Sequence, residues 1–120
     1  RRIIAMRAVD IVQPDIGYIG GLSRALRVAR QAANAGLICV PHSANLALVV
    51  VFSLHMMGAI PNAGPYVEFT IEKGPWWEGV YRPTLEVHNG KVDIPADPGW
   101  GVEINPGWLA KAEYKCSELE

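Results

Sequence analysis

Two short apolar runs, Ile11-Val12 and Leu37-Ile38-Cys39-Val40, each run into residues that can carry chemistry. The first leads to Gln13-Pro14-Asp15, the second to Pro41-His42-Ser43. Between them stand Gly20-Gly21 and a segment in which Leu22, Ala25, Leu26, Ala29, Ala32 and Ala33 recur at helical spacing. Arg24, Arg27, Arg30 and Gln31 fall on the opposite, wet face, and Gly36 suits the position just past a helix end. A strand–helix–strand unit of this kind has a right-handed crossover and parallel strands. Reacting groups collect at the carboxyl ends of such strands. The pattern therefore predicts Asp15 and His42 at one rim of one sheet, within hydrogen-bond reach.

The flanking segments extend the same alternation. Arg1 to Val9 has the pattern of a short amphipathic helix with Ile3, Ile4, Met6 and Ala8 on or near its inner side. Ala44 to Ala59 is apolar nearly all round, as an interior helix would be. Pro61 to Pro65 breaks it, and Tyr66-Val67-Glu68-Phe69 is expected to form a third short strand, again placing an acid near a strand end. A tryptophan-rich, proline-bounded loop follows over Gly74 to Gly79. Leu85 to His88 and Lys91 to Ile94 alternate in character around Asn89-Gly90, a pair that favours a type I′ hairpin turn. Pro98 to Glu120 is expected to be loop with a short charged helix.

Charge and composition remove several function classes. A net charge of −1 gives no electrostatic reason to expect nucleic acid or an acidic membrane surface as partner. Two cysteines are too few for a disulfide framework, and Cys39 sits inside a core-like strand, which favours a reducing, cytoplasmic setting. The chain starts without the pattern of a secretory signal, and the apolar run from Leu46 to Ile60 is too short to span a bilayer. Three parallel strands cannot close a barrel, which needs about eight. Strands this apolar would leave faces and edges uncovered, so the expected architecture is α/β and the last portion of a larger barrel.

The residues Gln13-Pro14-Asp15, Ile19-Gly20-Gly21-Leu22, Pro41-His42-Ser43 and Val67-Glu68-Phe69 together resemble the end of the enolase superfamily barrel, in its mandelate racemase and muconate lactonizing enzyme subgroup. Pro98-Gly99-Trp100-Gly101 and the Leu85–Ile94 hairpin resemble that family's C-terminal tail. The resemblance implies that residues 1–84 are the last three strands of a (β/α)7β barrel. Residues 85–120 would then be a hairpin and tail packing toward a capping domain, with the N-terminal capping domain and first barrel strands absent.

That resemblance implies an enzyme of small hydroxy acids or acid sugars. Such enzymes remove the proton next to a carboxylate, with Mg²⁺ stabilising the enediolate. His42 would be the general base or acid, Asp15 its partner, and Glu68 a hydrogen-bonding group near the substrate carboxylate. The ligands of Mg²⁺ would lie outside this sequence, which supplies none of its own. The partners implied are the substrate, the rest of the barrel with its capping domain, and further copies in a homo-oligomer. Where several relatives carry a lysine shortly after the acid, this chain has Tyr18. The segment between His42 and Glu68 is also longer than in mandelate racemase. Both departures favour acid-sugar dehydration, a lyase reaction, over racemisation or epimerisation.

Each residue also has a plain structural role open to it. Asp before Gly is ordinary turn chemistry, a histidine after a strand is often a satisfied rim residue, and a terminal carboxylate can simply face water. A silent barrel segment kept for structure or assembly is the competing class. His55, His88, Cys39 and the four tryptophans are read as structural, and Gly20-Gly21 as a tight turn.

Overall fold

The computed structural model describes residues 1–44, 47–72, 74 and 77–117. A short helix α1 (Arg2–Ala5) leads to strand β1 (Ile11–Val12), helix α2 (Leu22–Asn34), strand β2 (Ile38–Cys39) and helix α3 (Leu48–Ala59). Strands β3 (Tyr81–Arg82), β4 (Val87–His88), β5 (Lys91–Val92) and β6 (Glu103–Ile104) follow, and helix α4 (Pro106–Leu109) comes last.

β1 and β2 pair in parallel, Ile11 opposite Ile38 and Val12 opposite Cys39. The pairing continues beyond both strands to a parallel bridge between Asp15 and His42. α2 makes the crossover. Its buried residues are Ala25, Ala29 and Ala32, spaced one helical turn apart, while Arg24, Arg27 and Arg30 are exposed as the spacing predicts. Alanine methyls at the contact let the helix lie close on Val12 and Cys39. Gly20 and Gly21 at φ +92° and +100° make the tight turn into α2, a backbone state that a side chain at Cβ disfavours.

α3 explains its own all-round apolar character, because it serves two cores. Met56 joins the cluster of Ile4, Val12, Ile16, Leu37 and Cys39. Val50 and Val51 pack into a second cluster with Val80 and Tyr81, bordered by Phe69, Trp77, Val102 and Trp108. Fully burying a side chain such as Met56, only 1% exposed, contributes about 1.5–3 kcal/mol. The first residues of the helix expected from Ala44 include Asn45 and Leu46, which lie outside the described residues, as do Pro75 and Trp76 of the tryptophan-rich loop.

One expectation is corrected. Tyr66 to Phe69 is not a strand. The chain touches the sheet earlier, where the Cys39 N–H donates to the Asn62 carbonyl at 2.8 Å and the Gly64 N–H to the Cys39 carbonyl at 3.2 Å. That makes a parallel bridge from Cys39 to Ala63, after which no ladder continues among the described residues. Period-two alternation alone does not make a strand when no neighbour supplies the hydrogen bonds. β1 and β2 are covered on one face, leaving the other open as their apolar character leads one to expect: Val12 and Cys39 face α2, while Ile11 and Ile38 remain 46% and 40% exposed. Continuous apolar character marks a face that wants cover; among the described residues that cover is missing.

The C-terminal part holds more order than its loop-like sequence suggests. β4 and β5 form the expected hairpin, with Asn89 and Gly90 at φ +52° and +73°, both positive as a type I′ turn requires. β3 and β6 pair antiparallel, Tyr81 opposite Ile104. Asn105 ties that pair to α4: its side chain donates to the Gly79 carbonyl and accepts from the Gly107 N–H. Trp100 lies over α3, its ring 4.6 Å from Phe52, and its carbonyl oxygen is 2.9 Å from His55 Nε2. No helix among the described residues is long and apolar enough to cross a membrane.

Candidate active site

The parallel pairing of β1 with β2 puts Asp15 and His42 side by side. The Val40 N–H donates to the Val12 carbonyl at 3.0 Å and the His42 N–H to the Pro14 carbonyl at 3.2 Å. The backbone thus carries the register past the strand ends to the rim. There His42 Nδ1 stands 2.8 Å from Asp15 Oδ2. Asp15 does both things its sequence allowed. Its Oδ1 accepts the Tyr18 N–H at 2.9 Å, a local bond three residues on that closes the loop, while Oδ2 holds the imidazole.

Electrostatics follow from these contacts. The hydrogen bond to Asp15 is the main reason the His42 imidazole titrates above its ordinary value of 6.5. Partial burial opposes this, and the charges of Glu68 and Asp15 add to it. For Asp15, partial burial pulls upward, but the hydrogen bond from His42 and the backbone N–H groups of Tyr18 and Gly17 outweigh it. Its carboxyl is held below 3.8. An ionised Asp15 only accepts, so His42 Nδ1 carries a proton. In the neutral ring Nε2 is then the free lone pair, on the side away from Asp15.

Glu68 approaches from that side. Its Oε2 accepts the Ser43 N–H at 2.7 Å and lies 3.8 Å from His42 Nε2. Val67 and Phe69 line a separate groove of about 530 Å³ that includes none of the three rim residues. Glu68 turns toward His42 although no ladder among the described residues holds the segment. The structure brings all three sequence-predicted residues together, in the order Asp15, His42, Glu68. Ser43 has no role in the sequence motif, yet its amide holds Glu68. No sequence signal marks a backbone donor of this kind. Its hydroxyl is fully buried and has no partner among the described residues.

The remaining candidates behave as structural groups. Cys39 is fully buried and burial pushes its thiol up to about 11, which makes it a core residue. His55 is taken up by Trp100, and His88 lies 3.2 Å from Glu86 on the exposed hairpin.

Comparison with known proteins places this rim in a family. The description "Enolase C-terminal domain-like" matches residues 1–108. The chain belongs to that family. Arabinonate dehydratase of Saccharolobus solfataricus is 31% identical over 114 residues, 95% of this chain and 30% of its own. Among solved structures, a Roseobacter denitrificans protein provisionally called a racemase superposes with a TM-score of 0.88 at 53% identity, covering 98% of this chain and 33% of that one. L-Talarate dehydratase of a Polaromonas species, complexed with Mg and L-glucarate, gives 0.74 at 29% identity over 91% of this chain and 28% of that one. The chain thus spans about a third or less of these relatives. They include enolase-superfamily dehydratases, and the mandelate racemase subgroup is where the similarity lies.

Magnesium does not fit the residues present. Among the described residues no three His, Cys, Asp or Glu side chains converge as a metal site. Both rim carboxylates are engaged, Asp15 with His42 and the Tyr18 amide, Glu68 with the Ser43 amide.

Proposed function

We propose that this chain supplies the acid–base rim of an enolase-superfamily enzyme acting on an acid sugar, with dehydration as the net reaction. In this proposal its three rim segments correspond to the sixth, seventh and eighth strands of the complete (β/α)7β barrel. Residues 85–120 form the tail toward a capping domain, and Mg²⁺ is the cofactor on ligands outside these residues. The observation that carries the proposal is the Asp15–His42 pair. It leaves Nε2 as a lone pair on the open side of a histidine whose imidazolium is stabilised by two carboxylates.

His42 takes the proton from the carbon next to the substrate carboxylate. That carbon acid is weak, so the base must be near its own midpoint at working pH and held in one tautomer. Asp15 does the holding, and its charge steadies the imidazolium as it forms. Support for dehydration over racemisation comes from the dehydratases among the relatives.

The test is His42→Asn in the complete enzyme, following deuterium from solvent into the α position of pentonates, hexonates and hexarates. The variant replaces one rim polar group by another of similar size, so the fold is kept. Exchange should fall by about 10²–10⁴, the usual contribution of general acid–base catalysis. Wild-type exchange in the variant would make His42 structural and end the proposal.

A further inference from the structure

Three ties join the stretch from Asn62 to Glu68 to β2 and its flanks, and all keep one offset. The Asn62 side chain donates to the Leu37 carbonyl at 2.9 Å, the Gly64 N–H donates to the Cys39 carbonyl at 3.2 Å, and Glu68 Oε2 accepts the Ser43 N–H at 2.7 Å. Each pair stands 25 positions apart in sequence. Between Gly64 and Glu68 no backbone bond to the sheet intervenes among the described residues. The place of Glu68 is therefore set by where the stretch begins, about 20 Å of extended chain away at Asn62.

That beginning accepts one register. The Asn62 amide also donates to the Ala29 carbonyl of α2 at 3.2 Å, and its backbone carbonyl accepts the Cys39 N–H at 2.8 Å. Both side-chain partners are carbonyls, so the NH₂ must face them, and an ionised carboxylate of the same shape could not. Oδ1 is left buried with no partner among the described residues. At Gly64 a Cβ would fall 2.5 Å from Val40 Cγ2 and 3.1 Å from Ile38 Cγ2. Both neighbours are β-branched and stiff, so neither swings aside cheaply. A slip of one residue would put Ala63 or Pro65, each with a Cβ, into that space. At the rim the same slip would bring Val67 or Phe69 opposite Ser43, and neither has a side-chain oxygen for its amide.

We infer that Asn62 and Gly64 are positioning residues for this rim: together they fix the register that delivers Glu68, and neither of its neighbours, to the Ser43 amide beside His42. They act through chain length and close approach, and they touch no reacting atom. The inference rests on the enzymatic reading above only for its effect on rate; the register itself stands on the three ties.

The experiment reads amide hydrogen exchange over residues 38–44 of the complete enzyme, together with turnover on the same acid-sugar panel. It compares wild type with Asn62→Ala, Gly64→Ala, Glu68→Ala and the double variant of Asn62→Ala with Glu68→Ala. Asn62→Ala and Gly64→Ala should each speed exchange at the Ser43 amide about tenfold, the loss of one hydrogen bond to a side-chain oxygen. The amides of Val40 and His42, held by Val12 and Pro14, should keep their wild-type rates, which also shows that the variants fold. The double variant should exchange at Ser43 as Glu68→Ala alone does, because the bond is already gone. Turnover should fall by up to about 10²-fold in each positioning variant, the cost of misplacing a group by about 1 Å from a distance. A Ser43 amide that stays protected in both positioning variants, or that opens only together with Val40 and His42, overturns the inference and leaves the enzymatic reading standing. If wild type turns over none of the panel, the dehydration reading fails, while exchange at Ser43 still decides the register.

Discussion

Removing the charge from Asp15 while keeping its shape tests the centre of the argument. In Asp15→Asn the 2.8 Å contact to His42 Nδ1 loses its anion. A hydrogen bond to a charged partner is worth about 1.5–3 kcal/mol. Here the side chains of His42 and Asp15 keep 41% and 18% of their exposure, so solvent screening selects the lower end, about 1.5 kcal/mol. At about 1.36 kcal/mol per decade, that is roughly tenfold in the stability of the imidazolium. The amide adds a second penalty. If its NH₂ turns to Nδ1, that nitrogen must accept, the ring proton moves to Nε2, and the lone pair needed for proton abstraction is gone. In the serine-protease triad the corresponding change costs about 10⁴ in rate, which bounds the loss from above. The expected fall therefore lies between about 10- and 10⁴-fold. The assay is α-deuterium exchange in the complete enzyme across pH. Because Asp15 raises the His42 midpoint, the acid limb of the profile should move to lower pH in the variant. A variant with the wild-type rate and an unmoved acid limb would refute the pairing as the source of His42's basicity.

Two further outcomes follow from the same coordinates. The pair's contribution to stability has a defined pH window, read from the denaturation midpoint of wild type against His42→Asn. The raised His42 value makes its share fully present below 6.5 and lost as pH rises through the folded midpoint. The lowered Asp15 value makes its share present above 3.8 and lost as pH falls through its folded midpoint. A difference that grows toward alkaline pH contradicts the sign. Gly101→Ala places a Cβ 2.5 Å from Pro95 Cβ and 2.7 Å from its backbone carbon, at φ +69°. Strain at such a site costs about 1–3 kcal/mol before the clash is added. The variant should loosen the neighbouring Trp100 from Phe52, seen as a changed tryptophan emission and a lower denaturation midpoint; an unchanged midpoint would count against it.

The rim was legible because it depends on local pattern and on one topological rule. Apolar runs ending in Asp15 and His42, with a helix between, leave little choice of handedness or side. α2 was legible for a similar reason, since its alanine and arginine stripes repeat at one period. What escaped were features set by partners far away in sequence. Tyr66 to Phe69 carries strand character but has no neighbouring strand among the described residues, so alternation there does not report a strand. The β3–β6 pair joins residues more than twenty positions apart, and neither Tyr81-Arg82 nor Glu103-Ile104 is long enough to announce a strand. The hold on Glu68 comes from a backbone amide, which every residue but proline possesses.

The two sides of His42 are supported differently. On the Nδ1 side, Asp15 is fixed three ways: by the parallel register that ends in His42 N–H to Pro14, by the Tyr18 amide on Oδ1, and by the ring itself. Those ties keep one tautomer through the whole cycle, which a base needs. On the Nε2 side, among the described residues, the last tie to the sheet is the Gly64 N–H on Cys39, four residues before Glu68, and the Ser43 amide is the one further bond to its carboxylate. A segment with few buried backbone bonds opens at low cost. Asp15 is therefore the more firmly held of the two carboxylates beside His42. A loosely held Asp15 would leave the base without a fixed tautomer, which is why the three ties fall on that side.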